Sequence, residues 1–365
     1  MKKILIIEGR ESIGGGQVVT KHICDILSVE KYDVSVFIPG ENNDISRLLS
    51  DYKQYHYRLI PYSNGKKQVK DYFSFFYNTL CIYRVLYKLL KDERYDLLYI
   101  QHQNILPVCI LANRNIGINI ISHLHVVYID KLTRRMINYI LRNKYVKRIF
   151  GVSEYTLSQL AMQNIKKSIV LYNPILIKEK KDINNVSHRI AIIGDVVEFK
   201  GHHVLFKAMQ FLPNDCEIYV IGNLLDKIYL RKLQSFSVRC TYTGLIPNVT
   251  DYLIENEISL VIIPSISPFE TFSLSMTESW ALGIPTIATN DYGMKELVKT
   301  FLPQYQDDML FIKEDEIDLT NKILGLYTNE CLYQEISSAV YNVIKYSLNE
   351  EKFKETLLKE VSQII

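Results

Sequence analysis

With 365 residues, 48% of them hydrophobic and 23% charged, the chain is too long for one ordinary core and suits two folded domains of roughly 150–200 residues each. Its net charge of +3 is unevenly divided: residues 1–175 carry 25 Lys and Arg against 14 Asp and Glu, and the remainder 18 against 26, which makes +11 and −8. The six cysteines (Cys24, Cys81, Cys109, Cys216, Cys240, Cys331) are scattered, with no C-x-x-C pair and no histidine cluster around them, which argues against a disulfide or zinc scaffold and for buried free thiols in a reducing cytoplasm.

Along the chain, short β-branched runs alternate with longer amphipathic segments. Strands are expected at 3–8, 33–38, 57–60, 97–100, 119–122, 148–151 and 169–172, then at 189–193, 217–221, 239–241, 260–263 and 286–288. Helical segments separate nearly all of them, the signature of doubly wound parallel α/β sheets. The polar string KEKKDINNVS marks a linker over 175–188, dividing a domain over 1–174 from one over 189–345. A last helix over 346–365, with Ser347 and Glu350 spaced as a capping box, is free to return to the first domain. No apolar run reaches the ~18 residues that span a bilayer, and the N-terminus runs into a strand rather than a signal peptide, so a cytoplasmic protein is expected.

The first residues of chemical interest follow the first strand. Gly14, Gly15 and Gly16 lead into a helix expected from Gln17, and adjacent glycines let backbone approach a ligand closely. The spacing is not the G-x-G-x-x-G of a dinucleotide site. From Lys66 to Lys91 an amphipathic helix is expected, with Phe73, Phe76, Leu80, Tyr83, Tyr87 and Leu90 facing its sheet and Arg84, Lys88 and Lys91 along one edge. That edge, with the basic run holding Lys131, Arg134, Arg135, Arg142, Lys144, Lys147 and Arg148, suits anionic lipid headgroups, and no nucleic-acid reader motif accompanies it. In NIISHLHVV, His123 and His125 point to one side, and His125 falls where the apolar run gives way to a loop. His102, after the preceding strand, is a weaker candidate of the same kind.

The second half holds the most informative stretch, ISLVIIPSISPFETFSLSMTESWALGIPTIATNDYGMKELV from Ile258. It reads as strand, loop, helix (Thr271 to Leu282) and strand, with the loop at the carboxyl end of a strand, where ligands bind in such sheets. Glu270 and Glu278 lie eight residues apart, roughly 12 Å along a helix at 1.5 Å per residue, too far to share a proton or a metal. Between them the N–H groups of Thr271, Phe272, Ser273 and Leu274 would open a helix and suit phosphate. Upstream, AIIGDVVEFKGHHVLFKAM places Gly194 and Gly201 in a loop and projects Lys200 near a helix start, where its charge suits a diphosphate.

With these residues in place, the chain resembles glycosyltransferase family 4, retaining enzymes of the GT-B fold with two Rossmann-like, doubly wound parallel-sheet domains facing a cleft. The most specific element is E-x7-E, Glu270 to Glu278. GGGQ, His125, GVSEYT with Ser153, YNPI with Asn173, the G…KG loop with Lys200, and YTGLIP with Gly244 follow the expected order.

The resemblance implies catalytic roles for Glu270, His125 and Lys200. Glu270 would hold a donor-sugar hydroxyl, Glu278 the ribose hydroxyls, and Phe272, Ser273 and Leu274 would offer backbone amides. Lys200 would balance the leaving diphosphate, His125 would contact the donor sugar, and Gly15, Gly16, Gly194 and Gly244 would line the donor site. It also implies a UDP- or GDP-sugar donor, a glycan or lipid-linked saccharide acceptor on the basic N-terminal side, no metal and no cofactor. The setting would be surface polysaccharide or glycolipid assembly, peripheral on the inner face of the cell membrane, with Arg84, Lys88, Lys91, Arg134 and Arg135 on the membrane and acceptor side.

The chain departs from the family pattern at Asp195, where Arg is frequent. Beside a diphosphate this carboxylate either turns away or is compensated by Arg189 or Arg231. Thr271, Ser273 and Met294 replace glycines, which is expected to narrow the pocket. A nucleotide-sugar epimerase of the same fold and a non-catalytic nucleotide-sugar-binding subunit stand as alternatives.

Overall fold

The computed structural model describes residues 1–60, 69–180 and 186–365. The opening residues of the expected helix over 66–91 and the centre of the expected linker lie outside them. Two compact units emerge, Met1–Tyr172 together with Phe353–Ile365, and Asn173–Lys352.

The first unit is built on seven strands: β1 (Lys3–Ile7), β2 (Asp33–Pro39), β3 (Lys53–Tyr57), β4 (Leu97–Ile100), β5 (Asn119–Leu124), β6 (Val146–Gly151) and β7 (Ser168–Val170). They pair in parallel in the order β3-β2-β1-β4-β5-β6-β7. Both faces are covered, and β1 shows how the sequence encodes that. Ile4 and Ile6 join one core with Val19, Ile23 and Leu27 of the helix Gly15–Val29. Leu5 and Ile7 join the other with Ile82, Leu86, Leu89 and Leu90 of the helix Val69–Asp92. After Lys3 the strand is apolar at every position and has no solvent face, as expected for parallel sheets.

Two expectations need correction here. The third strand is 53–57 rather than 57–60, because KQYHY forms an edge strand that buries only Tyr57 fully and so lacks an apolar run. In the helix Val69–Asp92, Phe73, Phe76 and Leu80 are exposed; the buried stripe is offset to Ile82, Leu86 and Leu89.

The second unit carries β8 (Arg189–Ile193), β9 (Glu217–Ile221), β10 (Cys240–Gly244), β11 (Leu260–Ile263), β12 (Thr286–Thr289) and β13 (Leu310–Phe311), parallel in the order β10-β9-β8-β11-β12-β13. β13, two residues long, is too short to show a pattern in sequence. The helix Leu274–Trp280 is fixed by its last residue: Trp280 is fully buried and its Nε1 donates to Thr286 Oγ1 of β12 at 2.8 Å. This helix is shorter than the expected 271–282, because Ser273 sits extended and caps it.

The last helix, Glu350–Ile364, is capped by Asn349, whose Oδ1 accepts from Lys352 N at 2.9 Å; Ser347 instead ends the preceding helix. Phe353, Leu357 and Val361, at i, i+4 and i+8, enter the same core as Val19 and Ile23, and the buried Glu360 pairs with Arg148 at 2.6 Å. Leu357→Ala, at a fully buried position, is expected to cost about 2–5 kcal/mol in urea unfolding. A change below 1 kcal/mol would show that the helix is not integral to this core.

Candidate active site

In each sheet the strand order reverses direction once, between β1 and β4 and between β8 and β11. Loops leaving the carboxyl ends of such strands diverge to opposite sides and open a crevice between them. In the second unit Gly194, Lys200, Glu270 and Glu278 follow β8 and β11, and in the first Gly15, Gly16, His102 and His125 follow β1, β4 and β5.

After β8 the backbone passes Gly194 (φ +150) into a turn, Glu198–Lys200, then Gly201 (φ +73) and the helix His202–Ala208. A Cβ on Gly201 would stand 1.9 Å from the Pro264 carbonyl oxygen, so only glycine lets this loop lie against the end of β11. The Lys200 stem folds back over Gly194, its Cε 3.5 Å from where a Cβ would be. Its ammonium meets the Glu270 carboxylate in an ion pair, with Glu270 14% and Lys200 28% exposed. Glu270 is set in place from behind: Gly293 N donates to Glu270 O at 2.9 Å, and a Cβ on Gly293 would strike Thr271 O. Ile192, Ile193, Ser265, Ser273 and Ser275 close a small pocket around the pair.

The expected amide row is rearranged. Thr271 N donates to Phe269 O, and Ser273 Oγ accepts from Met276 N at 3.4 Å as the helix cap, so the helix opens at Leu274 and Phe272 precedes it. The rise argument for the two carboxylates therefore applies only to the second half of their spacing. Glu278 lies within the helix, and burial pushes its pKa up to about 7.

Asp195 turns away from this pair. Its Oδ1 accepts from Asn223 N at 3.3 Å and Asn223 Nδ2 at 2.9 Å. Arg189 offers no compensation, since it sits at the opposite end of β8 and is engaged by Glu257 at 2.7 Å; Arg231 is exposed on the helix Lys227–Gln234. Gly194, Gly222 and Gly244 cross the carboxyl ends of β8, β9 and β10, with Gly222 N donating to Gly244 O. Gly244 itself lies on the edge strand, two strands from β8. Met294 is wholly buried.

In the first unit the glycine run forms the helix's first turn rather than a preceding loop, since the helix starts at Gly15 and Gln17 Oε1 accepts from Gly14 N at 3.0 Å. Gly16 approaches His125, whose Nδ1 is 3.8 Å from the position of an added Cβ. His125 Nε2 lies 2.7 Å from Gln101 Oε1, an acceptor, so the proton sits on Nε2. Burial, with His102 nearby, pushes the His125 pKa down to about 3 and keeps the ring neutral. His123 stacks beside it, ring centroids 4.3 Å apart, but is fully buried against Tyr99 and belongs to the core.

Beneath them sits a group the sequence reading missed. Glu8, 1% exposed, accepts from Thr20 Oγ1 at 2.9 Å, Gly9 N at 2.7 Å and His102 Nε2 at 3.0 Å. Burial acts to raise its pKa, and the hydrogen bond and charge of His102 hold it below the ordinary value. A carboxylate directly after the apolar run Ile4–Ile7 was the available signal. Among the described residues, Cys216 lies with His188 and Asp215, ligand atoms within 4.8 Å of one another, at the amino end of the second sheet.

Arg84, Lys88, Lys91 and Arg135 are exposed and Arg134 is half-buried. Arg148 is instead consumed by Glu360. Among the described residues no helix is long and apolar enough to cross a membrane.

Two parallel α/β units, each with polar residues at its strand reversal, define the GT-B fold. Residues 13–178 match the model for Glycosyltransferase Family 4 and residues 187–329 that for Glycosyl transferases group 1. The chain belongs to this glycosyltransferase family. It is 26% identical over 349 residues to an uncharacterized glycosyltransferase of Haemophilus influenzae, covering 92% of this chain and 94% of that protein. Among solved structures, Anabaena HepE in complex with UDP and glucose aligns over 100% of both chains with a TM-score of 0.80 at 16% identity. A glycosyltransferase from Rickettsia africae aligns over 100% of this chain and 98% of its own with a TM-score of 0.79 at 15% identity.

The raised pKa of Glu278 has a signed consequence. The folded state holds this proton up to about pH 7 and the unfolded chain only to about 4.5, so the group destabilises the fold increasingly as pH rises through that window. Glu278→Gln is expected to stabilise the protein by up to about 3 kcal/mol at pH 8, and by far less at pH 4.5, in urea unfolding. Equal effects at both pH values would contradict the burial-driven shift.

Proposed function

We propose that this protein is a retaining glycosyltransferase that moves a sugar from a UDP-sugar to a glycan or lipid-linked saccharide. The observation that carries this reading is the meeting of Lys200 and Glu270 at the strand reversal of the second sheet. A diphosphate needs a cation and a sugar needs a hydroxyl acceptor, and here the two stand side by side. Donor binding would trade their mutual contact for two contacts to the ligand, Lys200 to the diphosphate and Glu270 to a sugar hydroxyl. Glu278 would take the ribose hydroxyls, and neutral His125 a sugar hydroxyl near the reacting carbon. Support for UDP as the donor's nucleotide comes from the UDP in the HepE structure.

In the reaction, the acceptor hydroxyl oxygen bonds to the anomeric carbon on the face from which the diphosphate departs, and the departing phosphate oxygen takes the hydroxyl proton. No carboxylate acts as a nucleophile: Glu270 is occupied as a hydrogen-bond acceptor and its partner Lys200 offsets the leaving-group charge. No metal or cofactor is assigned a role. The setting is cytoplasmic, at the inner face of a membrane and in surface polysaccharide or glycolipid assembly, with Arg84, Lys88, Lys91, Arg134 and Arg135 facing anionic lipid.

A thermal-shift screen of nucleotide-sugars identifies the donor, and Lys200→Ala and Glu270→Ala are each expected to lower kcat/KM for it by roughly a hundredfold or more. Both variants are expected to retain folding, because the pair is partly solvated. Unchanged turnover in either would refute the site, and NMR of the product showing an inverted anomer would refute retention.

A further inference from the structure

On the first unit, the helix Lys131–Leu141 and the segment around Gln159 enclose a cavity of about 610 Å³. Lys131, Arg134, Arg135 and Arg142 line it. Among the described residues none of the four forms an ion pair with a carboxylate, and no acidic residue occurs between Asp130 and Glu154. Asp130 is engaged as the helix cap, accepting from Thr133 N at 2.6 Å. Lys131 lies at i+3 and i+4 spacing from Arg134 and Arg135, so these charges repel along one helix face.

The frame that holds the cations is rigid. Asn138 and Gln159, each 8% exposed, line the same cavity. Asn138 Nδ2 donates to Arg134 O at 2.9 Å and Gln159 O at 3.0 Å, and its Oδ1 accepts from Ala161 N at 2.6 Å. Gln159 donates to Val126 O and Thr156 O and accepts from Tyr128 N. The buried amides spend their hydrogen bonds on backbone, which leaves the guanidinium groups to meet a ligand. Guanidinium forks match phosphate oxygens in pairs.

The neighbouring face of the same helix decides the source of the phosphate. Leu132, Met136 and Tyr139, at i, i+4 and i+7, are 75%, 53% and 75% exposed, and Tyr139 also borders the cavity. An apolar stripe beside a cationic one describes a helix lying in a lipid interface, with apolar side chains at the acyl boundary and cations at headgroup level. A soluble phosphate would leave the stripe in water.

We propose that this cavity binds the phosphate of a membrane lipid, with Leu132, Met136 and Tyr139 seated in the interface beside it. The assignment rests on the peripheral membrane attachment proposed above and gives that attachment a defined site. The helix begins six residues after His125, so a phosphate held here belongs to the acceptor side of the reaction.

The test is co-flotation of the full chain with phosphatidylcholine vesicles containing phosphatidic acid. Arg134→Gln/Arg135→Gln/Arg142→Gln is expected to lower the partition coefficient by roughly a hundredfold, on the order of fivefold per cation. Removal of three equivalent charges from the other unit, Lys227→Gln/Arg231→Gln/Lys232→Gln, is expected to change it less than threefold. Leu132→Ser/Met136→Ser, at two exposed positions outside the cavity lining, should weaken vesicle binding while leaving calorimetric binding of inorganic pyrophosphate unchanged, and melting curves confirm folding of each variant. Equal loss in both charge variants would overturn the pocket in favour of general attraction. Pyrophosphate binding with no effect of Leu132→Ser/Met136→Ser on vesicles would overturn the lipid as its source. Wild-type protein that ignores the vesicles altogether would overturn the membrane reading itself, a result separate from either, and none of these readouts depends on turnover.

Discussion

Lys200 and Glu270 are 70 residues apart in sequence, and the contact between their charges depends on how closely two stretches of backbone can approach. Gly201 lets the loop after β8 lie on the carbonyl of Pro264, and Gly293 lets the following helix press on the turn at Glu270 and Thr271. Neither glycine touches a ligand in any reading of the site. Each removes a Cβ that would separate two loops by more than an ångström, and an ion pair between partly buried groups is sensitive to such a displacement. The reversal of strand order between β8 and β11 brings these loops out at one place, and the glycines bring them into contact.

The two units treat charge differently. At the second, a cation and an anion are left partly solvated beside each other, and a further carboxylate, Glu278, is buried enough to hold its proton near neutral pH. At the first, Glu8 is fully buried and kept charged by hydrogen bonds, while His125 is kept neutral and orientated by Gln101. A neutral imidazole can hydrogen-bond a sugar without attracting a counter-ion, and a solvated ion pair can exchange partners. Both properties follow from burial and from hydrogen bonds near each group rather than from residue type alone.

The doubly wound sheets were legible because parallel strands buried on both faces carry uninterrupted apolar runs: ILII after Lys3, LLYI and LVII all fold as expected. The edges were not. β3 is polar because an edge strand can be, and β13 is too short for any period. The site was legible where chemistry depends on a residue in a motif, as at Lys200 and Glu270, and obscure where it depends on three-dimensional neighbours. Nothing near Asp195 in sequence announces that Asn223 will hold its carboxylate, and Glu8 shows its purpose only when Thr20 and His102 surround it. Arg148 made the opposite error: it looked like one more surface cation and is bound to a buried glutamate over two hundred residues away.

That last case bears on how the basic first half should be understood. Arg148 is consumed by Glu360, Lys354 by Glu30, and Lys167 donates to the carbonyls of Leu141 and Val146 at the end of the helix Lys131–Leu141, each an internal use of charge. Among the described residues, Lys131, Arg134, Arg135 and Arg142 form no ion pair. The repulsion among them is small per pair, a few tenths of a kcal/mol, but nothing inside the fold offsets it. A rigid frame of buried amides nevertheless holds them around one cavity. Internal contacts hold several of the first unit's cations, and the four around the cavity are the ones for which we propose a partner outside the fold.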